Sequence, residues 1–239
     1  MTTTRADPPL WAQAMRKFQA VIFDFGGVIT ASPFEAFNRL EEERGLPHDL
    51  VRRINAANPD SNAWALLERA EITRAAFDAR FAAEAAALGH ELRGADVLAV
   101  IAGVIRPGMV AALDTIRAAG LKLGCITNNV PGGSGPAMAN DAQAESRYAA
   151  IFARFDQVIE SAKAGVRKPD PRIYAMMCDA LDVRPADCVY LDDLGINCKP
   201  AAAMGMAAIK VTGEAQALKE LSVVLAIDLI AFDLTGETR

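Results

Sequence analysis

The stretch Val21-Ile22-Phe23-Asp24-Phe25-Gly26-Gly27-Val28 breaks an apolar run at a carboxylate, with two glycines close behind. Ala20, Val21, Ile22 and Phe23 carry no polar alternation, which predicts a strand buried on both faces, as in a parallel sheet. In open α/β sheets, ligands bind just beyond the carboxyl ends of the strands, so Asp24 is placed to meet a substrate rather than the core. Gly26 and Gly27 allow a sharp turn and a close backbone approach to whatever Asp24 holds. An Asp-X-Gly turn without chemistry explains the octapeptide alone about as well, so the rest of the chain must decide.

The 239 residues leave room for one core and a smaller second unit. The formal charge is −5 and no basic block is present, which argues against nucleic-acid and membrane partners and for a small-molecule substrate. Cys125, Cys178, Cys188 and Cys198 form no CxxC pair and read as small hydrophobes in a reducing compartment. No continuous apolar stretch precedes Phe18, and the apolar run over 221–232 is interrupted by Asp228 and too short for a bilayer. The expectation is a cytoplasmic protein.

Trp11, Met15 and Phe18 stand at helical spacing and predict a short lead-in helix over 11–18. After the first strand, Ser32 and Pro33 form a helix start, serine as cap and proline at the first position. Segments 34–44, 48–57, 63–68, 73–88 and 95–104 are rich in Ala, Leu, Glu and Arg and predict successive helices. Strands and helices then alternate. A helix over 107–119 ends at Gly120, and strands are expected at 121–127, 155–160, 188–191 and 206–211, with helices at 171–181 and 200–204. This pattern predicts an α/β fold, a doubly wound parallel sheet with right-handed crossovers. Residues 1–32 and 106–239 are assigned to the core, and 33–105 to a helical unit inserted after strand one.

Three more strand ends carry polar residues. The second reads Thr127-Asn128-Asn129, a hydroxyl and backbone N–H groups suited to a phosphate oxygen, or an ordinary turn. Next, Lys168 stands between Arg167 and Pro169-Asp170-Pro171, a point charge on a stem held by prolines. The fourth strand runs into Asp192-Asp193-Leu194-Gly195-Ile196-Asn197. Two adjacent acids after a buried strand are costly unless a cation meets them. If Asp24 joins them, magnesium suits the set, being hard and oxygen-seeking. Zinc would prefer His or Cys, and His48 and His90 both fall in the inserted helices, where they read as surface residues.

In order and over nearly the whole chain, these four strand ends resemble the four motifs of the haloacid dehalogenase (HAD) superfamily of hydrolases. FDFGGV, TNN, KPDPRIY and LDDLGIN, with WALLERAEIT at 64–73, look most like the phosphatase domain of soluble epoxide hydrolase and the N-terminal domain of acyl-CoA dehydrogenase family member 10. The resemblance implies a Rossmann-like HAD core with a helical cap that closes over the site and selects the substrate. It implies Asp24 as the nucleophile that becomes an aspartyl phosphate, with Thr127 and the Asn128 backbone at the phosphoryl group and Lys168 offsetting charge. It further implies Mg2+ held by Asp24, the Gly26 carbonyl and Asp193, with Asp192 acting directly or through water and Asn197 orienting its neighbours from an outer layer.

Most phosphatases of the superfamily carry an acid two residues after the nucleophile, where this chain has Gly26. General acid–base help is typically worth ~10²- to 10⁴-fold, so substrates with good leaving groups, such as acyl or anomeric phosphates, are favoured. The expected function is a magnesium-dependent phosphatase of a small phosphorylated metabolite. The alternatives are a metal-independent 2-haloacid dehalogenase and a catalytically weak domain that binds a phospho-ligand or a protein. The loop over 131–136 is glycine-rich but lacks the Lys-Ser or Lys-Thr of a P-loop, and reads as a flexible connection. Trp64 and Arg69 either face substrate or, for the tryptophan, pack in the core. Arg106 and Pro107 mark the return to the core.

Overall fold

The computed structural model describes residues 17–101, 103–130 and 142–230. Its strands are β1 (Ala20–Phe23), β2 (Lys122–Thr127), β3 (Gln157–Glu160), β4 (Cys188–Asp192) and β5 (Ala207–Lys210). They form one sheet of five strands in the order β3-β2-β1-β4-β5, with every pairing parallel. The first strand is therefore central. Its register sets Phe23 opposite Cys125 of β2 and Leu191 of β4, so the residues that follow in each strand emerge level with one another.

Helices cover both faces, and the pleat of β1 supplies both. Val21 and Phe23 join Leu123, Val189 and Leu191 on one side. Against them pack α6 (Pro107–Ala118), α7 (Ala142–Phe152) and α11 (Glu214–Leu225). Ala20 and Ile22 face the other way, onto α9 (Pro171–Leu181) and α10 (Gly195–Ala203). All four residues of β1 are wholly buried, as the unbroken apolar run requires. The short α8 (Ser161–Ala164) follows β3.

Between β1 and β2 stand α1 (Pro33–Glu43), α2 (Leu50–Ala56), α3 (Ala63–Glu68), α4 (Arg74–Ala87) and α5 (Gly94–Ala99). They bury an apolar cluster of their own, including Leu50, Ile54, Leu67, Phe77, Phe81 and Val97. Edge-on ring contacts link Phe34, Phe37, Trp64 and Phe77 through it.

The helix expected over 95–104 stops at Ala99. The chain leaves it to pair with the outgoing linker instead: Thr30 and Ile105 form an antiparallel bridge, and Ala31 N donates to Val104 O at 2.7 Å. Gly103 lies where the linkers cross, since a Cβ there would meet Ala31 O at 2.5 Å. The helix expected at 200–204 begins at Gly195 and runs through Pro200, whose fixed φ suits a helix and whose missing N–H removes one bond. Helices α7, α8 and α11 were not expected. His48 lies in a turn of the insertion and His90 in irregular chain just after one, rather than within its helices. The four cysteines are buried and unpaired. Phe18 is buried beside β1 in irregular chain, while the remainder of the expected lead-in helix, apart from Lys17, and the loop over 131–136 lie outside the described residues. Among the described residues, no helix is long and apolar enough to cross a membrane.

Because Ala31 O is backbone and cannot swing aside, Gly103→Ala should push the linkers apart and lower stability by about 1–3 kcal/mol. A urea midpoint unchanged from the parent would show that the crossing is not a tight contact.

Candidate active site

The four polar strand ends converge at the carboxyl edge of the sheet. Asp24 N donates to Leu191 O at 2.8 Å, continuing the ladder one residue past β1. Its Oδ1 accepts from Phe25 N at 2.6 Å, which fixes the carboxylate at the mouth of the turn. Lys168 Nζ, only 1 % exposed, lies 2.7 Å from Asp24 Oδ1 and 2.8 Å from Asp192 Oδ2. Asp24, Asp192 and Asp193 each offer an oxygen within 4.8 Å of the others.

The acids differ in their surroundings. Both oxygens of Asp192 are engaged: Oδ2 accepts from Tyr190 Oη at 2.6 Å and from Lys168, Oδ1 from Leu194 N at 2.8 Å, and Asn197 Nδ2 donates to both at 3.0 and 3.1 Å. Asp193 Oδ2 accepts from Ser32 Oγ at 2.7 Å. This carboxylate lies against Gly27, where φ is +79° and a Cβ would come within 2.2 Å of Asp193 Oδ2. Only glycine meets both demands at that position. The Gly27 carbonyl is held by Arg106 Nη1 at 2.8 Å. Gly26 is different: φ −68° and ψ 130° are ordinary, and a Cβ would meet nothing closer than Pro33 at 3.7 Å.

Electrostatics follow from burial. Desolvation pushes the Asp24 carboxyl well above its usual range; Lys168 opposes this, while Asp192 and Asp193 add to it. Asp193 is likewise raised by burial, against the hydrogen bond from Ser32. Burial disfavours the Lys168 charge, but Asp192 and Asp24 outweigh it and hold the ammonium above the ordinary lysine range. One lysine thus faces three carboxylates.

Thr127 is buried at the end of β2 and lines the cavity beside Asp24. The Asn128 side chain spans Lys168, its Oδ1 accepting from Lys168 N at 2.9 Å and its Nδ2 donating to Lys168 O at 3.1 Å. A cavity of about 630 Å3 opens above these groups, walled by Phe25, Phe34, Phe37, Trp64, Ile101 and Tyr148, with the insertion as its roof. Trp64 lines it, donating from Nε1 to Glu68 at 2.8 Å. Arg69 pairs with Glu71 at 2.5 Å and is not among the lining residues.

Sequence reasoning missed several members of the site. Ser32 reads as a helix cap, yet its side chain makes no capping bond and serves Asp193 instead. Tyr190 looks like one more apolar strand residue; the period of two, which puts it on the same face as Asp192, is the signal that could have found it. Glu68, Arg106 and Arg167 gave no local sign. Replacing Lys168 with methionine should cost about 3–5 kcal/mol at neutral pH, because two buried carboxylates lose their cation. The deficit should shrink as pH falls and the Asp24 carboxylate, already raised by burial, accepts a proton. Urea unfolding at two pH values checks both parts, and a pH-independent deficit would contradict this electrostatic account.

Comparison with known proteins gives the arrangement its family. The sequence profile of the haloacid dehalogenase-like hydrolases matches residues 18–205. Mouse acyl-CoA dehydrogenase family member 10 is 33 % identical over 219 residues, covering 90 % of this chain, which spans only 20 % of that relative's length. Phosphatase MT3486 of Mycobacterium tuberculosis is 30 % identical over 209 residues, covering 82 % of this chain and 88 % of its own. Among solved structures, a HAD family enzyme of Bacteroides thetaiotaomicron, crystallised with magnesium and inorganic phosphate, superposes with a TM-score of 0.53 at 15 % identity, over 80 % of this chain and 93 % of its own; that likeness shows the fold. The doubly wound sheet, the acids at its strand ends and the profile match together place this chain in the haloacid dehalogenase-like hydrolase family.

Proposed function

We propose that this hydrolase is a magnesium-dependent phosphatase acting through an aspartyl-phosphate intermediate on a small phosphorylated metabolite with a good leaving group. The observation that carries the reading is the set of three carboxylates around one buried lysine at the floor of an aromatic-walled cavity. In the proposed reaction, the Asp24 carboxylate attacks phosphorus and the bond from phosphorus to the leaving oxygen breaks. Water then attacks the same phosphorus and releases phosphate, which regenerates Asp24. Lys168, already against Asp24, offsets charge on nucleophile and phosphoryl group, and the Thr127 hydroxyl with the Asn128 backbone orients the phosphoryl oxygens.

The donor set fits a hard divalent cation: all three side chains offer oxygen, and one lysine leaves them short of positive charge. Asp24 and Asp193 would hold it with the Gly26 carbonyl, while Asp192, its oxygens already engaged, would act through water. Bound there, magnesium supplies charge stabilisation to the phosphoryl group. Asn197 and Tyr190 keep Asp192 in place. The helical insertion serves as the cap, and its aromatic wall excludes water and receives the organic group.

The missing acid at position 26 is not imposed by the backbone, since an L-residue fits there. In the proposed reaction the leaving oxygen departs without a proton from this position, which suits acyl or anomeric phosphates. Phosphate release from a panel of acyl and alkyl phosphates should require magnesium, stop with chelator and vanish in Asp24→Asn. Gly26→Asp should raise turnover of alkyl phosphates by about tenfold or more while changing acyl phosphates little. Chelator-resistant turnover would remove the metal from the reading, and halide release from a 2-haloacid would replace it with dehalogenation. No turnover of any phosphate would leave a binding domain.

A further inference from the structure

Glu68 is an acid at the end of a cap helix, yet it is only 6 % exposed. Its Oε1 accepts from Trp64 Nε1 at 2.8 Å. Its Oε2 lies 2.6 Å from Arg167 Nε and accepts from Asn128 Nδ2 at 3.3 Å. The Arg167 Nε–H is not aimed along that contact, so the pair is ionic rather than a directed hydrogen bond. Ser161 Oγ donates to the Glu68 backbone carbonyl at 2.7 Å, and Arg167 Nη1 reaches the Pro59 carbonyl of the insertion at 3.0 Å. Two of the core groups in this junction, Asn128 and Arg167, line the cavity. Asn128 follows Thr127, and Arg167 precedes Lys168.

The connection continues to the reacting groups. The Asn128 amide that donates to Glu68 also brackets both backbone polar groups of Lys168. Lys168 in turn places its ammonium on Asp24 and Asp192. Glu68 is thus joined through one side chain to the backbone that carries the only cation touching Asp24 among the described residues.

We propose that Glu68 is a positioning residue through which seating of the cap assembles the catalytic loops. With the insertion in place, its carboxylate fixes Asn128 and Arg167, and Asn128 fixes Lys168. A lifted cap leaves both loops without this tether, so cap closure and site assembly are one event. Substituting for the acid absent at Gly26 is a poorer role for Glu68, because its oxygens already serve Trp64, Asn128 and the permanent cation of Arg167.

The proposal rests on the phosphatase reading for its kinetic arm alone. Glu68→Gln keeps the size of the side chain and removes its charge. Its kcat should fall about tenfold or more for both an acyl and an alkyl phosphate, with KM within about threefold, as expected when groups shift slightly from reacting geometry. Amide hydrogen exchange should quicken at 127–130 and 166–168 and stay unchanged in β1. Arg167→Met should give the same pattern, and the double variant should lose no more than the worse single one. Unchanged exchange at both segments would overturn the proposal whatever the kinetics. A loss confined to the alkyl phosphate would make Glu68 a proton donor instead, and a rise in KM alone would make it a substrate contact. If the parent protein releases no phosphate, the functional reading fails and the exchange arm still decides the tether.

Discussion

Burial of the Lys168 ammonium is the constraint on which this molecule depends. Removing that charge from water costs several kcal/mol unless carboxylates meet it at hydrogen-bonding distance. Asp24 and Asp192 meet it at 2.7 and 2.8 Å. They arrive there from two neighbouring strands because the register sets Phe23 opposite Leu191, so the next residue of each strand emerges at the same level. The apolar sheet and the charged site are thus one construction: the first holds the backbone in register, and the second requires it.

The lysine nevertheless leaves the site short of positive charge, because Asp193 is the third acid of the cluster. Its position is secured by the lack of a side chain at Gly27 and by Ser32 on the outgoing linker. The returning linker contributes Arg106, which holds the Gly27 carbonyl. One crossing between core and insertion thus holds Asp193 and the other holds the turn that follows Asp24. Glu68 adds a third connection, from the roof of the cavity to the Lys168 loop by way of Asn128. An apolar wall above such a cluster strengthens every charge interaction within it.

Much of this was legible in the sequence, for identifiable reasons. The run before Asp24 has no polar alternation, and the breaks at Gly120 and before Asp192 bound buried strands, so the α/β pattern and the inserted helices could be read from local residues. What was hidden depends on partners remote in the chain. Ser32 and Asp193 are 161 positions apart, and Ser161 lies 93 from Glu68. Ser161–Ala164 is too short to show a helical period. Glu214–Leu225 merges into a following apolar stretch that masks its face of Ala217, Leu218 and Leu221. Pro200 suggested a helix start because proline favours the first turn, whereas here it is tolerated inside one. At Gly26 the sequence showed an absent acid, and only the backbone shows that the space for one exists.

The central claim is that two buried carboxylates and a half-buried third, with one lysine, form a site completed by a divalent cation. Since burial raises Asp24 and Asp193, protons compete for the same oxygens, and the competition weakens as pH rises. Calorimetric titration of magnesium at pH 5.5 and 7.5 tests this most directly. The account predicts one site, tighter binding at the higher pH, proton release on binding, and loss of the site in Asp193→Asn. Binding indifferent to pH and to that substitution, or no binding at all, would contradict it.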